Sequence, residues 1–495
     1  MPLYKEDNFL IIYPGSKHTL FAFGLSDTLS PPQFKIPSVV YQDSITKQYQ
    51  ASSTNSTSET TIEEIYPIIE SKIVNLDAFN YLLKIILQSV IANHPTITIN
   101  QIPMLLITPS LTWSRQSIEY ITKYVIENLE ITAFNIIDLS LAATFGIGQS
   151  TNSIVVYVDE ENIQIVPIIG YQTIKFAGKL IKNEGGITIT RELKQNLPNL
   201  TFQQIEDLKN SNIFEVVIDQ QGLVLDYIKD INIINKDEDN EFDVAKIVTD
   251  NENGLPGTIT GISNENKNEN ENENEKEQQQ DSNKPNKELE KNYFIDSKTQ
   301  EKIWIGKERF SGTNNLVKLI SSSIYSSLLL IPDIDKRQDC YDNIILTGSI
   351  FQTPGLKEAI LIKLNQDYLI KEPNFIDQSI NDPSVNTAIL KYQQSTTIND
   401  YNENDNNNNN TTTTNNSNSN QVPNSIKLVK YPDYFPEWKK PKEKGGSWHD
   451  VYFLGGQIYS KQIYSGSSHH HGKELFVGSD MYEERGPQSI WDASI

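Results

Sequence analysis

Cysteine is almost absent: Cys340 is the one thiol among 495 residues, beside only three methionines. A lone thiol excludes a disulfide framework and any zinc site built on cysteines, and it fits a reducing compartment. Positive charge is also scarce, with 42 lysines and arginines against 64 aspartates and glutamates, a formal balance of −22. Such a chain repels phosphate backbones unless its basic residues cluster, so tight direct binding to DNA is not expected. No apolar run approaches the roughly 20 residues of a membrane helix. The first, from Phe9 to Tyr13, breaks at Pro14-Gly15 and is too short for a secretory signal. The expectation is a soluble intracellular protein with no membrane contact.

Two stretches cannot contribute to a core. Residues 236–291 hold sixteen acids against seven lysines, and their middle, 264–280, alternates Asn and Glu. Residues 393–421 are dominated by Asn, Thr and Ser. Neither buries enough surface to offset its chain entropy, so both are expected to be disordered insertions. A Ser/Thr run at 52–61 reads as a flexible loop. The chain is still 37% hydrophobic, which leaves a sizeable core for the remainder.

That remainder alternates strand and helix signals. Residues 9–13 and 19–23 are apolar and separated by Pro14-Gly15-Ser16, which predicts a hairpin. Phe79, Leu82, Leu83, Ile86 and Val90 recur at helical spacing. Residues 104–108 read as a short buried strand. Ile118, Ile121, Val125 and Leu129 mark another helix, with start signals at Thr112 and Ser114. Residues 154–158 and 163–169 predict a second hairpin. A helix over 316–330, a strand over 344–346, a turn at Thr347-Gly348-Ser349 and a helix over 356–364 follow. The order argues an α/β architecture. Each hairpin's first strand runs into a tyrosine, Tyr13 or Tyr157, an echo that suggests two similar halves facing a cleft. Chance similarity of two short strands is the competing explanation.

The segments resemble, in order, those of the actin family. Leu105-Leu106-Ile107-Thr108-Pro109, Ser140-Leu141-Ala142-Ala143-Thr144, Val166-Pro167-Ile168, Leu346-Thr347-Gly348 with Pro354-Gly355, Tyr452 through Gly456, and Tyr482 through Pro487 carry the likeness. Ile11 through Pro14, Lys430 through Lys440 and Gly486 through Asp492 are similar to the actin-related proteins of fungal chromatin remodelers. The resemblance implies a duplicated actin-like (ribonuclease H-like) α/β fold with two lobes around a central cleft. One lobe would hold 1–145 and 426–495, the other 146–425 with the insertions. It further implies a nuclear subunit of SWI/SNF- and RSC-type complexes, paired with a second actin-related protein. Other implied partners are the helical HSA segment of the remodeler ATPase and a small accessory subunit, with nucleosomal DNA met only indirectly.

The family holds ATP and a hydrated Mg²⁺ with an Asp after the first strand of each hairpin and with glycine-bearing turns. Here the Asp positions hold Tyr13 and Tyr157, and a phenol titrating near 10 gives a metal no charge at neutral pH. Gly15 remains in the first turn, but Pro14 has no N–H to donate. The second turn carries Asp159, Glu160 and Glu161. The family's lysine aligns with Leu20, and its water-positioning residue with Ile136, or with Asn135 after a slip of one. Gly348 persists beside Ser349, where turn geometry explains it equally well. No catalysis, no metal and no cofactor are therefore expected, with weak ATP binding left open. An ATP-binding switch and a cytoskeletal actin-related subunit are the alternatives.

Function then falls to surfaces. By the resemblance, Ala142, Tyr171, Tyr459 and Ile463 would line a groove for an amphipathic helix; the other reading makes Ala142 and Ile463 core. Around Tyr431, Tyr434, Phe435 and Trp438 cluster Lys427, Lys430, Lys439, Lys440, Lys442 and Lys444. A protein interface, a solvated loop with buried aromatics and nucleic-acid contact are all open there. His469-His470-His471 lies between glycines and reads as a loop rather than a metal site.

Overall fold

The structure is a computed structural model that describes residues 4–52, 62–218, 284–370, 422–440, 446–465 and 475–493. It divides into two compact units, Met1–Thr188 with Asn315–Ile495, and Ile189–Asn314.

In the first unit, β1 (Leu10–Pro14) and β2 (His18–Phe23) form the expected hairpin, and β3 (Phe34–Pro37) extends it. β4 (Met104–Thr108) runs parallel beside β1, and β5 (Ala133–Asp138) parallel beside β4. The short strand Val477–Gly478 closes the far edge. β1 is buried along its whole length because successive side chains serve opposite faces. Leu10 and Ile12 join an outer core with Phe79, Leu82, Leu83 and Ile86 of α1 (Leu76–Asn93) and Ile121 and Val125 of α2 (Arg115–Glu127). Each such side chain removed from water contributes about 1.5–3 kcal/mol. Ile11 and Tyr13 turn to an inner core with Leu20, Leu105, Ile107 and Ile137. Both helices begin on side-chain caps: Asn75 accepts from the Ala78 N–H at 3.0 Å and Ser114 from the Ser117 N–H at 3.0 Å.

A second sheet repeats the pattern. β6 (Ser153–Val158) and β7 (Asn162–Ile169) form a hairpin, β8 (Gln172–Thr173) and β9 (Lys179–Lys182) pair with β7, and β10 (Ile344–Thr347) runs parallel beside β6. Val155, Tyr157, Val166, Ile168 and Ile345 face the same inner core as Ile11 and Tyr13. Hairpin plus parallel strand thus occurs twice, as the echo of Tyr13 and Tyr157 suggested.

Two helices run through that core. α3 (Leu139–Ile147) starts where Asp138 accepts from the Ser140 N–H at 2.9 Å and ends at Gly148, whose φ is +67°. It packs against α4 (Val451–Tyr464) through small residues. A Cβ on Gly455 would overlap the Ala142 carbonyl oxygen, and one on Gly146 the carbonyl of Val451. The helix expected at 316–330 spans Asn314–Leu328, and that at 356–364 spans Leu356–Tyr368.

The second unit contains a helix, Phe202–Asn210, capped by Thr201, and a hairpin of Asn292–Ile295 with Lys302–Ile305. Its fully buried Arg309 donates to the carbonyls of Gly306, Asn286 and Leu289. That guanidinium orders the 3-10 turn Asn286–Glu288, so the last residues of the expected 236–291 insertion, from 284 onward, are structured. The remainder of that segment, the 393–421 tract, residues 53–61 and the three histidines lie outside the described residues.

Candidate functional site

The inner ends of the two repeated hairpins meet. Tyr13 stands one residue before the end of β1, paired with Leu20, and Tyr157 one residue before the end of β6, paired with Gln164. Tyr13 Oη donates to Tyr157 Oη at 2.6 Å, with the rings edge-on at 6.3 Å. Tyr452 of α4 completes a trio, 4.7 Å from the Tyr13 ring and 6.0 Å from that of Tyr157. Its hydroxyl donates to Asp450 at 3.0 Å. Burial pushes all three phenols well above their ordinary value, and the nearby carboxylates of Asp159 and Asp450 add to the shift. All three are neutral at any physiological pH.

The turns beyond the phenols bond to protein. In the first, Gly15 N–H donates to the His18 carbonyl at 3.1 Å, and the Gly15 carbonyl accepts from Ser38 Oγ at 2.7 Å. Ser16 Oγ accepts from the Ser71 N–H at 2.7 Å. In the second, Asp159 accepts from the Glu160 N–H at 2.8 Å and from Ser71 Oγ at 3.3 Å, while Glu161 accepts from the Glu70 N–H at 3.3 Å. Burial raises the Asp159 carboxyl, offset in part by those two donors. Lys17 lies 3.9 Å from Glu160. The carbonyls of Asp159 and Glu160 accept from the Gly186 and Ile187 N–H groups at 3.1 and 2.9 Å. Gly348, with φ +112°, lets β10 end against β6: a Cβ there would overlap the Val158 carbonyl, and its N–H donates to the His449 carbonyl at 2.8 Å. Ser349 is exposed in the turn that follows.

Leu20 lines the inner core beside Tyr13, but Ile136 does not reach it. Ile136 faces the outer core with α1 and α2, a correction whose cause is strand alternation, since a slip of one residue reverses the face. Asn135 faces inward, yet its amide donates to Tyr459 Oη at 3.2 Å and to the Ala493 carbonyl at 3.3 Å. In the paired strands Ile136 is level with Ile12, through Leu106.

The expected partner groove is also corrected. Ala142, Tyr459 and Ile463 are 0%, 1% and 4% exposed, held in the α3–α4 packing, which closes over them because glycine and alanine admit so near an approach. Tyr459 stacks on Phe145, and Phe145 on Tyr171, at 5.8 and 5.4 Å. Burial pushes the Tyr459 phenol up to about 12. Tyr171 is half-buried, with φ +60°. Trp438 is buried and donates to the Leu29 carbonyl at 2.8 Å. Tyr431 stacks on Trp448 at 4.8 Å and accepts from Lys357 at 2.6 Å, where burial lowers the ammonium to about 8. Phe435 packs partly buried, and Tyr434 is 71% exposed. Lys427, Lys439 and Lys440 pair with Asp342, Asp433 and Glu437, which removes much of the local excess of positive charge. Lys442 and Lys444 lie outside the described residues.

Sequence reasoning missed Ser71, Asn162, Gln164 and Asp450. The available signal was the polar Glu70-Ser71-Lys72 between the apolar pairs Ile68-Ile69 and Ile73-Val74.

Residues 4–382 match the actin family, and with a twice-repeated hairpin sheet around a common core, the chain belongs to it. Along its length it is similar to the SWI/SNF and RSC complexes subunit arp9 of Schizosaccharomyces pombe, at 23% identity over an alignment covering 99% of each chain.

The residues present do not fit the Mg²⁺–triphosphate that the actin fold implies. Where carboxylates would hold the hydrated metal, two phenols kept neutral by burial bond to each other at 2.6 Å. A triphosphate at the second turn would face three carboxylates; like charges a few Å apart oppose each other by about 1 kcal/mol or more.

Proposed function

We propose that this chain is a non-catalytic, actin-related subunit of a nuclear chromatin-remodelling complex of the SWI/SNF or RSC type. The observation that carries the non-catalytic reading is the bond between Tyr13 and Tyr157 at the inner ends of the hairpins. The end-to-end likeness to the arp9 subunit supports membership of such a complex. In this reading the buried phenols replace nucleotide in holding the lobes, taken as 1–145 with 426–495 and 146–425. An aromatic ring buries about 150–250 Å² of surface.

The finer partners are a second actin-related protein, the HSA helix of the remodeler ATPase and a small accessory subunit, with nucleosomal DNA reached only through them. The exposed Tyr434 and the half-buried Tyr171, Tyr431 and Phe435 are the members of the expected surfaces with residue surface left for a partner. Affinity purification followed by mass spectrometry tests the assignment. Remodeler subunits are expected; recovery of filament proteins in their place would favour the cytoskeletal alternative and overturn it. Titration with Mg-ATP tests the other half, and saturable micromolar binding would defeat it.

A further inference from the structure

Ser71 has every polar atom engaged, and its partners belong to different parts of the first unit. Its N–H donates to Ser16 Oγ in the first hairpin's turn, and its carbonyl accepts from Thr112 Oγ1, beyond β4. Its hydroxyl donates to Asp159 at 3.3 Å and accepts from Asn162 Nδ2 at 3.0 Å, both in the second hairpin. Beside it the Glu70 N–H reaches Glu161 at 3.3 Å, and the Leu111 N–H reaches Gln164 of β7 at 3.1 Å. Ser71 itself is only 1% exposed.

The backbone there is also unusual. Ile68–Ile69 and Lys72–Ile73 form a hairpin, and its two turn residues, Glu70 and Ser71, have φ +50° and +57°. Two-residue turns with both φ values positive favour Asn-Gly, because a side chain is strained in that region. A Glu-Ser pair holds this conformation only when surrounding contacts over-determine it, and the contacts just described do so.

We propose that the Glu70–Ser71 turn is a clasp that locks the first sheet to the second hairpin with protein atoms alone. The Tyr13–Tyr157 bond fixes the two hairpins deep in the core, and the clasp fixes them at their turns. Each polar atom of Ser71 has a partner within the protein, so every bond of the clasp at that residue is made by protein atoms. This goes beyond membership of any complex and would hold for the isolated chain.

Hydrogen exchange on the full-length protein tests it with two variants. Ser71→Ala removes the hydroxyl. Glu70→Asn with Ser71→Gly relaxes the turn while keeping both N–H groups and the Ser71 carbonyl, so this variant folds if the turn alone matters and lacks only the hydroxyl's two bonds. Both are expected to raise exchange over residues 158–164 by about tenfold or more while leaving α1 protected, as local opening does. Exchange over 158–164 within twofold of the parent in the relaxed-turn variant would overturn the clasp, as would a uniform rise along the whole chain.

Discussion

Tyr13 and Tyr157, 144 residues apart in the chain, share a 2.6 Å hydroxyl–hydroxyl bond at equivalent places in two repeated hairpins. Replacing either with Phe keeps the ring and strands the other hydroxyl in a buried site, at a cost of about 1–3 kcal/mol. The double replacement leaves no orphan and is expected to cost less than the sum of the singles. Urea unfolding of the four proteins gives the coupling directly.

Alkaline pH should act on the same trio. Tyr13, Tyr157 and Tyr452 keep their protons in the folded protein at pH values where unfolded tyrosine, titrating near 10, loses them. A folded-state pKa raised in this way stabilises fully below the unfolded value and less as pH rises beyond it. Stability should therefore fall steeply above about pH 10, and the Tyr13→Phe, Tyr157→Phe double variant should show a shallower fall. Thermal melts across that range check both slopes.

Asp159 has the same sign at the other end of the scale. Burial raises its carboxyl, so the folded state binds the proton more readily than the unfolded state, and stability decreases as pH rises from the ordinary carboxylate range through the raised value. Asp159→Asn keeps an acceptor for the Glu160 N–H and a polar partner for Ser71. It is expected to be more stable than the parent at neutral pH, with the advantage vanishing in acid. Melting temperatures at a series of pH values decide this, and a destabilised variant at neutral pH would contradict it.

Gly455→Ala places a methyl on the Ala142 carbonyl. Neither helix can yield without opening the inner core, and the expected cost exceeds the roughly 1–3 kcal/mol of ordinary overpacking. Loss of soluble protein, or a melting temperature lowered by many degrees, is the outcome to look for. Tyr434→Ala, at an exposed ring, should leave the melt unchanged.

Much of the fold is legible where local chemistry decides it. The Pro14-Gly15 break, the apolar runs beside Tyr13 and Tyr157 and the cap at Ser114 give both hairpins and α2 nearly residue by residue. The candidate site is legible at Tyr13 and Tyr157, because position in a strand fixes them. It fails at Ile136, where facing depends on a single residue of register. At Ala142, Ile463 and Trp438 the sequence leaves the buried reading open beside the partner-binding one, and at Tyr459 it gives only the groove, because burial there depends on helices and loops from distant parts of the chain. The small residues Ala142, Gly146 and Gly455 carried the clue, since such residues permit close helix crossing, but only the partner's position shows which side chains that crossing covers. Ser71 was hidden for the same reason: a serine in a turn announces nothing about which strands lie opposite it.

The strand Val477–Gly478 completes the edge of a sheet begun by residues 10–23, and Trp438 and Tyr464 bond back to Leu29 and Met104. A ribosome making this protein must therefore release more than four hundred residues after the opening hairpin before that sheet can acquire its last strand, beside β5. Until then that sheet is unfinished, with an unpaired margin and part of its apolar surface uncovered. Newly made chains should be most in need of chaperone shelter at that late stage, and truncation anywhere ahead of residue 477 should damage the amino-terminal half as severely as the carboxy-terminal one.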